Sequence, residues 1–210
     1  MPLAAHAHQA LLVFIKNPRA GYVKTRIAQE LGDEKALRIY QLLLTSTRQT
    51  TEGLPFRKFL FYSDFVDETD EWNSPNYEKK VQHGPTLGDR MNDAFQKVLA
   101  EKGVTRAIIV GSDCPELSGS LLIKAFIALE THDFVIGPAR DGGYYLLGMK
   151  QVEGKIFRNK TWSTASVLRD TLDDLGRLNK SFYLLPVLSD VDTVADLPAE
   201  MLDQITRDQG

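Results

Sequence analysis

Two short stretches of this chain are apolar at every position. Ala10–Ile15 reads ALLVFI and Ala107–Val110 reads AIIV, and each breaks off into polar residues, glycine and proline. A strand with one wet face alternates apolar and polar residues. A run without a polar position is a strand covered on both faces, as in a parallel sheet sandwiched between helices. These two runs therefore constrain the fold more than any other feature.

The rest of the chain supplies what such a sheet needs. Asp33 is placed to cap a helix with Ala36, Leu37, Tyr40, Leu43, Leu44 and Thr47 on one face, stopped by Gly53 and Pro55. Lys58–Tyr62 and Lys79–Gln82 read as strands, and Leu87–Leu99 has helical spacing through Leu87, Met91, Ala94, Phe95, Val98 and Leu99. Ser118 caps a helix running to about Glu130, and Phe134–Ile136 begins another strand. Asp141-Gly142-Gly143 is a turn, so Tyr144–Leu147 returns beside that strand. Thr164–Leu175 reads as a helix, Phe182–Leu185 as a strand and Val194–Ile205 as a last helix. Strands alternating with helices give an α/β fold, with a mixed, mainly parallel sheet and one antiparallel excursion near Tyr144. No repeat or linker divides the chain, so residues 1–210 read as one domain, with a loose N-terminus over residues 1–9. The acidic segment 64–77 reads as a solvated surface, with a lid or metal role as the alternative.

Composition excludes several classes. Lys and Arg total 25 against 28 Asp and Glu, a net charge of −3, which argues against coating nucleic acid or anionic membrane through bulk charge. No apolar run approaches the roughly 18 residues of a membrane span. With one cysteine, Cys114, there is no intramolecular disulfide, and the expected compartment is the cytoplasm. Cys114 reads as a buried, inert thiol. His6, His8, His83 and His132 show no zinc spacing.

In open α/β sheets, ligands collect beyond the carboxyl ends of the strands. After the first strand, residues 16–26 hold Lys16, Asn17, Pro18, Arg19, Gly21, Lys24 and Arg26. Cations beside a helix start and a glycine that admits close backbone approach suit phosphate; a solvated surface loop has the same composition. After the third buried strand, Asp113 precedes Cys114-Pro115, the place for a carboxylate on a hard cation or, equally, for a helix cap. Asp190 and Asp192 share a face if extended, inviting a cation, unless Asp190 is structural and Asp192 or Thr193 caps the last helix. Gln82 can read a nucleobase edge, since its amide donates and accepts. Asp141 can serve as a general base. Turn and cap hydrogen bonds account for both residues equally well.

Taken in order, Lys16-Asn17-Pro18…Gly21…Lys24-Thr25-Arg26, Gly84…Leu87-Gly88…Arg90-Met91, Gly111…Asp113…Pro115, Gly137-Pro138…Asp141-Gly142-Gly143-Tyr144-Tyr145 and Asp190-Val191-Asp192-Thr193…Asp196-Leu197 resemble the small bacterial GT-A-type nucleotide-diphosphosugar transferases. Some members of that family are glycosyltransferases of arsenosugar biosynthesis. The resemblance covers about Leu11 to Leu202. It implies a three-layer α/β/α domain that transfers a sugar from a nucleotide-activated donor to a small-molecule acceptor. It implies Lys16, Asn17, Pro18, Gly21, Lys24, Arg26, Gln82 and Gly88 on the nucleotide. It also implies Lys24, Arg26 and Asp141 in catalysis, and Asp113 with Asp192 on Mg²⁺ or Mn²⁺. The chain departs from relatives in having Ser112-Asp113-Cys114 rather than Asp-X-Asp, and in lacking the Leu-Ala-Ala-Gly-X-Gly loop of many nucleotidyltransferases. The second departure tilts the reading toward glycosyl transfer. Nucleotidyl transfer with pyrophosphate release, and a nucleotide-binding module without turnover, are the alternatives.

Overall fold

The computed structural model describes residues 8–72 and 76–207. Seven strands form one sheet: β1 (Gln9–Ile15), β2 (Arg57–Tyr62), β3 (Tyr77–Val81), β4 (Arg106–Val110), β5 (Phe134–Pro138), β6 (Tyr144–Met149) and β7 (Phe182–Leu184). Their order across the sheet is β3-β2-β1-β4-β6-β5-β7. β6 pairs antiparallel with both β4 and β5, and every other pairing is parallel. The mainly parallel sheet and the excursion after Asp141-Gly142-Gly143 are thus both found.

Period-two alternation sorts the strand side chains onto two faces. Leu11, Val13 and Ile15 of β1, with Ile108 and Val110 of β4, pack under α2 (Asp33–Glu52) and α4 (Gly119–Thr131). Ala10, Leu12, Phe14, Ala107 and Ile109 pack against α3 (Leu87–Leu99) and α5 (Val167–Arg177). This makes three layers. A smaller cluster on α2, formed by Ile39 and Leu43 with Ile27 and Ile205, seats α1 (Thr25–Leu31) and α6 (Ala199–Arg207). Among the described residues no helix is long and apolar enough to cross a membrane.

Three expectations change. Gly32, at φ 86°, is the residue before α2, and Asp33 is the first helical residue rather than the cap. His8 and Gln9 are not loose: the His8 carbonyl accepts from the backbone N–H of Thr105 (2.9 Å) and Arg106 (3.3 Å), and Gln9 opens β1. Residues 1–7, with His6, lie outside the described residues. The acidic segment is anchored: Asp70 bonds Lys79 Nζ (2.8 Å) and the Tyr62 hydroxyl (2.5 Å), and Trp72 is buried edge-on to Tyr77. Residues 73–75 of that segment lie outside the described residues.

Candidate active site

All six parallel strands point their carboxyl ends to one edge of the sheet, where β6 begins. The loop after β1 is braced there. Asn17 is buried; its side-chain amide donates to the Phe65 carbonyl (2.9 Å) and its Oδ1 accepts from the Asp64 N–H (3.0 Å). The Tyr40 hydroxyl accepts from the Lys16 N–H (2.8 Å) and lies 3.2 Å from Ser112 Oγ, tying the loops after β1 and β4 together. Gly21 turns the chain at φ 78°, and Lys24 follows in the left-handed region at φ 48°, which is uncommon for a residue with a Cβ.

That conformation delivers the Lys24 side chain inward, where it is 5% exposed. Its Nζ lies 2.6 Å from Asp113 Oδ1 and donates to the Val191 carbonyl at 2.6 Å. The Val191 N–H in turn donates to the Asp113 carbonyl (2.9 Å). One ammonium therefore joins the loop after β1, the loop after β4 and the segment after β7. That last segment runs across the sheet edge: the Leu188 N–H donates to the Pro138 carbonyl (3.1 Å) and the Arg140 N–H to the Leu188 carbonyl (3.0 Å). Beyond it, Asp192 lies 3.5 Å from Arg26, and Thr193 and Asp196 form a capping box.

The result is a crowd of carboxylates. Burial first, then the negative charges of Asp113, Asp141 and Asp192, push Asp190 up to about 7, with Lys24 pulling the other way. Burial, then Asp190, pushes the Cys114 thiol up to about 12, as an inert thiol requires. Asp141 Oδ1 accepts from the Gly143 N–H (2.8 Å), which fixes the carboxylate at the turn into β6.

These groups line a cavity of about 860 Å³. Lys24, Arg26, Asp113, Asp141 and Asp192 all face it, as do Lys16, Asn17 and Gln82. Five nucleotide-binding expectations need correction. The side chain of Asn17 braces residues 64–65 rather than waiting for a ligand. Gln82 donates its amide hydrogens to the Ile15 (3.1 Å) and Phe61 (3.0 Å) carbonyls, so only its oxygen remains for a base. Pro18 and Gly21 are not among the lining residues and serve the turn. A Cβ on Gly88 would stand 2.3 Å from the ring of Trp162, so Gly88 is a seat for that indole.

Sequence reasoning named Arg19, Arg90 and Tyr144 only within loops and motifs, missed Trp162, and underrated Asp190; all five line the wall. Arg19 packs 4.6 Å over Tyr22 and pairs with Asp64 at 3.1 Å. Its place among the four cations of residues 16–26 was the available signal.

The donor set suits a hard divalent cation held together with a ligand. Among the described residues no three acidic, His or Cys side chains stand close enough to hold an ion alone. Mg²⁺, however, uses one or two carboxylates and completes its shell with water and phosphate oxygens. Asp113, Asp141 and Asp192, whose charges add to burial in raising Asp190, are charges that such a cation would offset.

The model of the family described as "Uncharacterized protein conserved in bacteria (DUF2064)" matches residues 47–164. The chain belongs to that family. The family member's fold is that of nucleotide-diphospho-sugar transferases. A crystal structure from Desulfovibrio desulfuricans G20, provisionally assigned as a nucleotide-diphospho-sugar transferase, is 29% identical, superposes with a TM-score of 0.84, and covers 96% of this chain and 98% of its own. A CMP:2-keto-3-deoxy-manno-octonic acid synthetase complexed with CTP is 9% identical, with a TM-score of 0.56 over 96% of this chain and 100% of its own. A 4-diphosphocytidyl-2C-methyl-D-erythritol synthase from Anaerococcus prevotii DSM 20548 is 10% identical, with a TM-score of 0.53 over 99% and 96%. The last two share the fold alone. Among curated proteins, none matches the chain.

Proposed function

We propose that this protein is a glycosyltransferase that moves a sugar from a nucleoside-diphosphate sugar to a small acceptor, assisted by a divalent cation. The observation that carries this reading is Lys24. Its ammonium lies 2.6 Å from Asp113 and 2.6 Å from the Val191 carbonyl, at the meeting point of three carboxyl-edge loops. The provisional assignment of the Desulfovibrio protein agrees with it.

The chemistry follows from charge. As the bond between the sugar carbon and the β-phosphate oxygen breaks, its electron pair stays on the diphosphate, and negative charge grows there. Groups already fixed where that charge develops lower the barrier without reorganising. Lys24 is such a group. Arg26, on the exposed side of Asp192, adds a second cation that can turn from its carboxylate to phosphate. Mg²⁺ or Mn²⁺ held by Asp113 and Asp192 would supply Lewis-acid charge to the same oxygens. The acceptor oxygen forms the new bond to the sugar carbon and gives its proton to Asp141, whose second oxygen is left over from the turn hydrogen bond.

The test is turnover with UDP-, GDP-, CDP-, ADP- and dTDP-hexoses and Mg²⁺ or Mn²⁺, with water and a panel of small alcohols as acceptors. Release of the nucleoside diphosphate is the expected result. Pyrophosphate release from a nucleoside triphosphate and a sugar phosphate, with no diphosphate release, would overturn it in favour of nucleotidyl transfer.

A further inference from the structure

The end of the cavity away from Lys24 is built differently. Phe14, Ile109 and Leu147 floor it, and Leu87, Tyr144 and Trp162 wall it. Trp162 belongs to the segment between β6 and α5, which is pinned from several sides. Lys160, its side chain 1% exposed, reaches Asp174 of α5 at 2.5 Å. The Leu168 N–H donates to the Gly142 carbonyl (2.9 Å), and a Cβ on Gly142 would meet the Ala165 carbonyl oxygen at 2.3 Å. Asn159 and Ser163 hold left-handed conformations on either side of the indole, at φ 54° and 62°.

Gly88 makes the most specific statement. It sits in the first turn of α3 with no positive φ, so its backbone does not ask for glycine. A Cβ there would fall 2.3–2.6 Å from Cζ2, Cε2 and Nε1 of Trp162. The small residue exists to admit the indole. Yet the indole N–H and the Tyr144 hydroxyl have no hydrogen-bond partner among the described residues. A large aromatic residue set carefully into a ligand cavity, with its polar atom left over, is a recognition group rather than core filler.

The neighbour of this segment decides what it recognises. Gly142, bonded to Leu168, directly follows Asp141. The wall carrying Trp162 is therefore clasped to the turn that carries the base, not to the cation-bearing loop after β1. On the glycosyl-transfer reading, the transferred group would lie between those two. We propose that the sugar ring of the donor stacks on Trp162, with the indole N–H and the Tyr144 hydroxyl bonded to its hydroxyl groups. This rests on the glycosyl-transfer reading above. A pyranose offers what the wall lacks: a C–H face for the electron-rich indole and a rim of hydroxyls for the two polar atoms. A further phosphate or carboxylate would be poorly served by the apolar floor.

The chain has two tryptophans, and Trp72 is buried against Tyr77 away from the cavity lining, so Trp72→Phe leaves Trp162 as the sole indole emitter. In that protein, shown to be folded, UDP, GDP, CDP, ADP and dTDP are titrated with MgCl₂, followed by the hexose derivative of the nucleotide that binds. The hexose derivative is expected to shift Trp162 emission where the diphosphate leaves it nearly unchanged. Trp162→Ala is expected to weaken the nucleotide hexose about tenfold and the diphosphate less than about twofold. Trp162→Phe should restore most of the loss. Gly88→Ala, whose Cβ displaces the indole, should reproduce it in protein shown to be folded. Equal weakening of diphosphate and nucleotide hexose in Trp162→Ala, or a full emission change with diphosphate alone, overturns the stacking while leaving glycosyl transfer standing. No binding of any diphosphate overturns glycosyl transfer, and the stacking with it.

Discussion

Along the charged wall of the cavity the functional groups already have partners. Lys24 holds Asp113 and the Val191 carbonyl, Arg26 stands near Asp192, and Arg19 pairs with Asp64. Across the cavity, Trp162 and Tyr144 are rigidly placed with their polar atoms unmatched. The difference concerns what a ligand must displace. A phosphate arriving at the charged wall exchanges one ionic partner for another, so the net gain there is small until negative charge grows in the transition state. A ring arriving at the aromatic wall displaces only water. On the reading proposed above, the first wall serves catalysis and the second holds the group that moves.

The contrast can be broken from the charged side first. Asp113→Ala is expected to lower kcat by about 10²–10³, the scale of losing one aimed electrostatic group, while leaving the emission response of Trp162 to nucleotide hexose in place. Steady-state kinetics beside the fluorescence titration checks both halves; loss of the response would show that the walls are not independent. Lys24→Met removes the ammonium shared by three loops. A drop of about 2–3 kcal/mol in unfolding free energy is expected, below the figure for a fully buried pair because Asp113 is half-exposed. Urea unfolding measures it, and an unchanged midpoint would mean that the three loops hold without Lys24.

Asp190 sharpens the comparison through pH. An acid whose folded value is raised is protonated in the native state while the unfolded chain has already released its proton. Stability therefore falls as pH climbs from about 4 toward the folded value of about 7, and is level above it. Asp190→Asn should remove that fall, gaining about 4 kcal/mol over the wild type at pH 8 and almost nothing at pH 4. Mg²⁺ at pH 8 should narrow the gap by neutralising the same carboxylates. Equal stabilities at both pH values would show that Asp190 is solvated. The smallest effect belongs to Gln82. Since its amide hydrogens are occupied by Ile15 and Phe61, Gln82→Leu should cost about 1 kcal/mol of stability and leave the preference among nucleoside diphosphates unchanged. A changed preference would return Gln82 to the ligand.

The fold was largely legible because burial is written into runs and periods. Ala10–Ile15 and Ala107–Val110 announced central strands, and α3 spans the expected Leu87–Leu99, where Thr86 and Asp89 close a capping box. The charged wall was legible through the same logic, since Lys24, Arg26, Asp113, Asp141 and Asp192 follow strands or turns. Asn17 and Gln82 misled because an amide that suits a ligand suits a backbone carbonyl equally well, and the carbonyls that take it up come from segments distant in sequence. Asp190 was underrated because its raised pKa needs burial in the folded cleft together with the charges of Asp113 and Asp141 from two other loops. Trp162 was missed because its segment has no periodicity. Its one trace is the glycine at position 88, which the resemblance assigns to the nucleotide and on which the indole lies.

The order of the strands also sets an order in time. β6 lies between β4 and β5, and β7 closes the edge beside β5, so the piece that completes the cleft follows all seven strands in the chain. A chain halted short of Phe182 possesses the sequence of every strand but β7, Lys24 and Asp113 included. It lacks the Val191 carbonyl that Lys24 grips, and it lacks Asp190 and Asp192. On the reading proposed above, the cleft is complete only once that stretch is present, and a proteolytic nick that frees it would disarm the site in one cut.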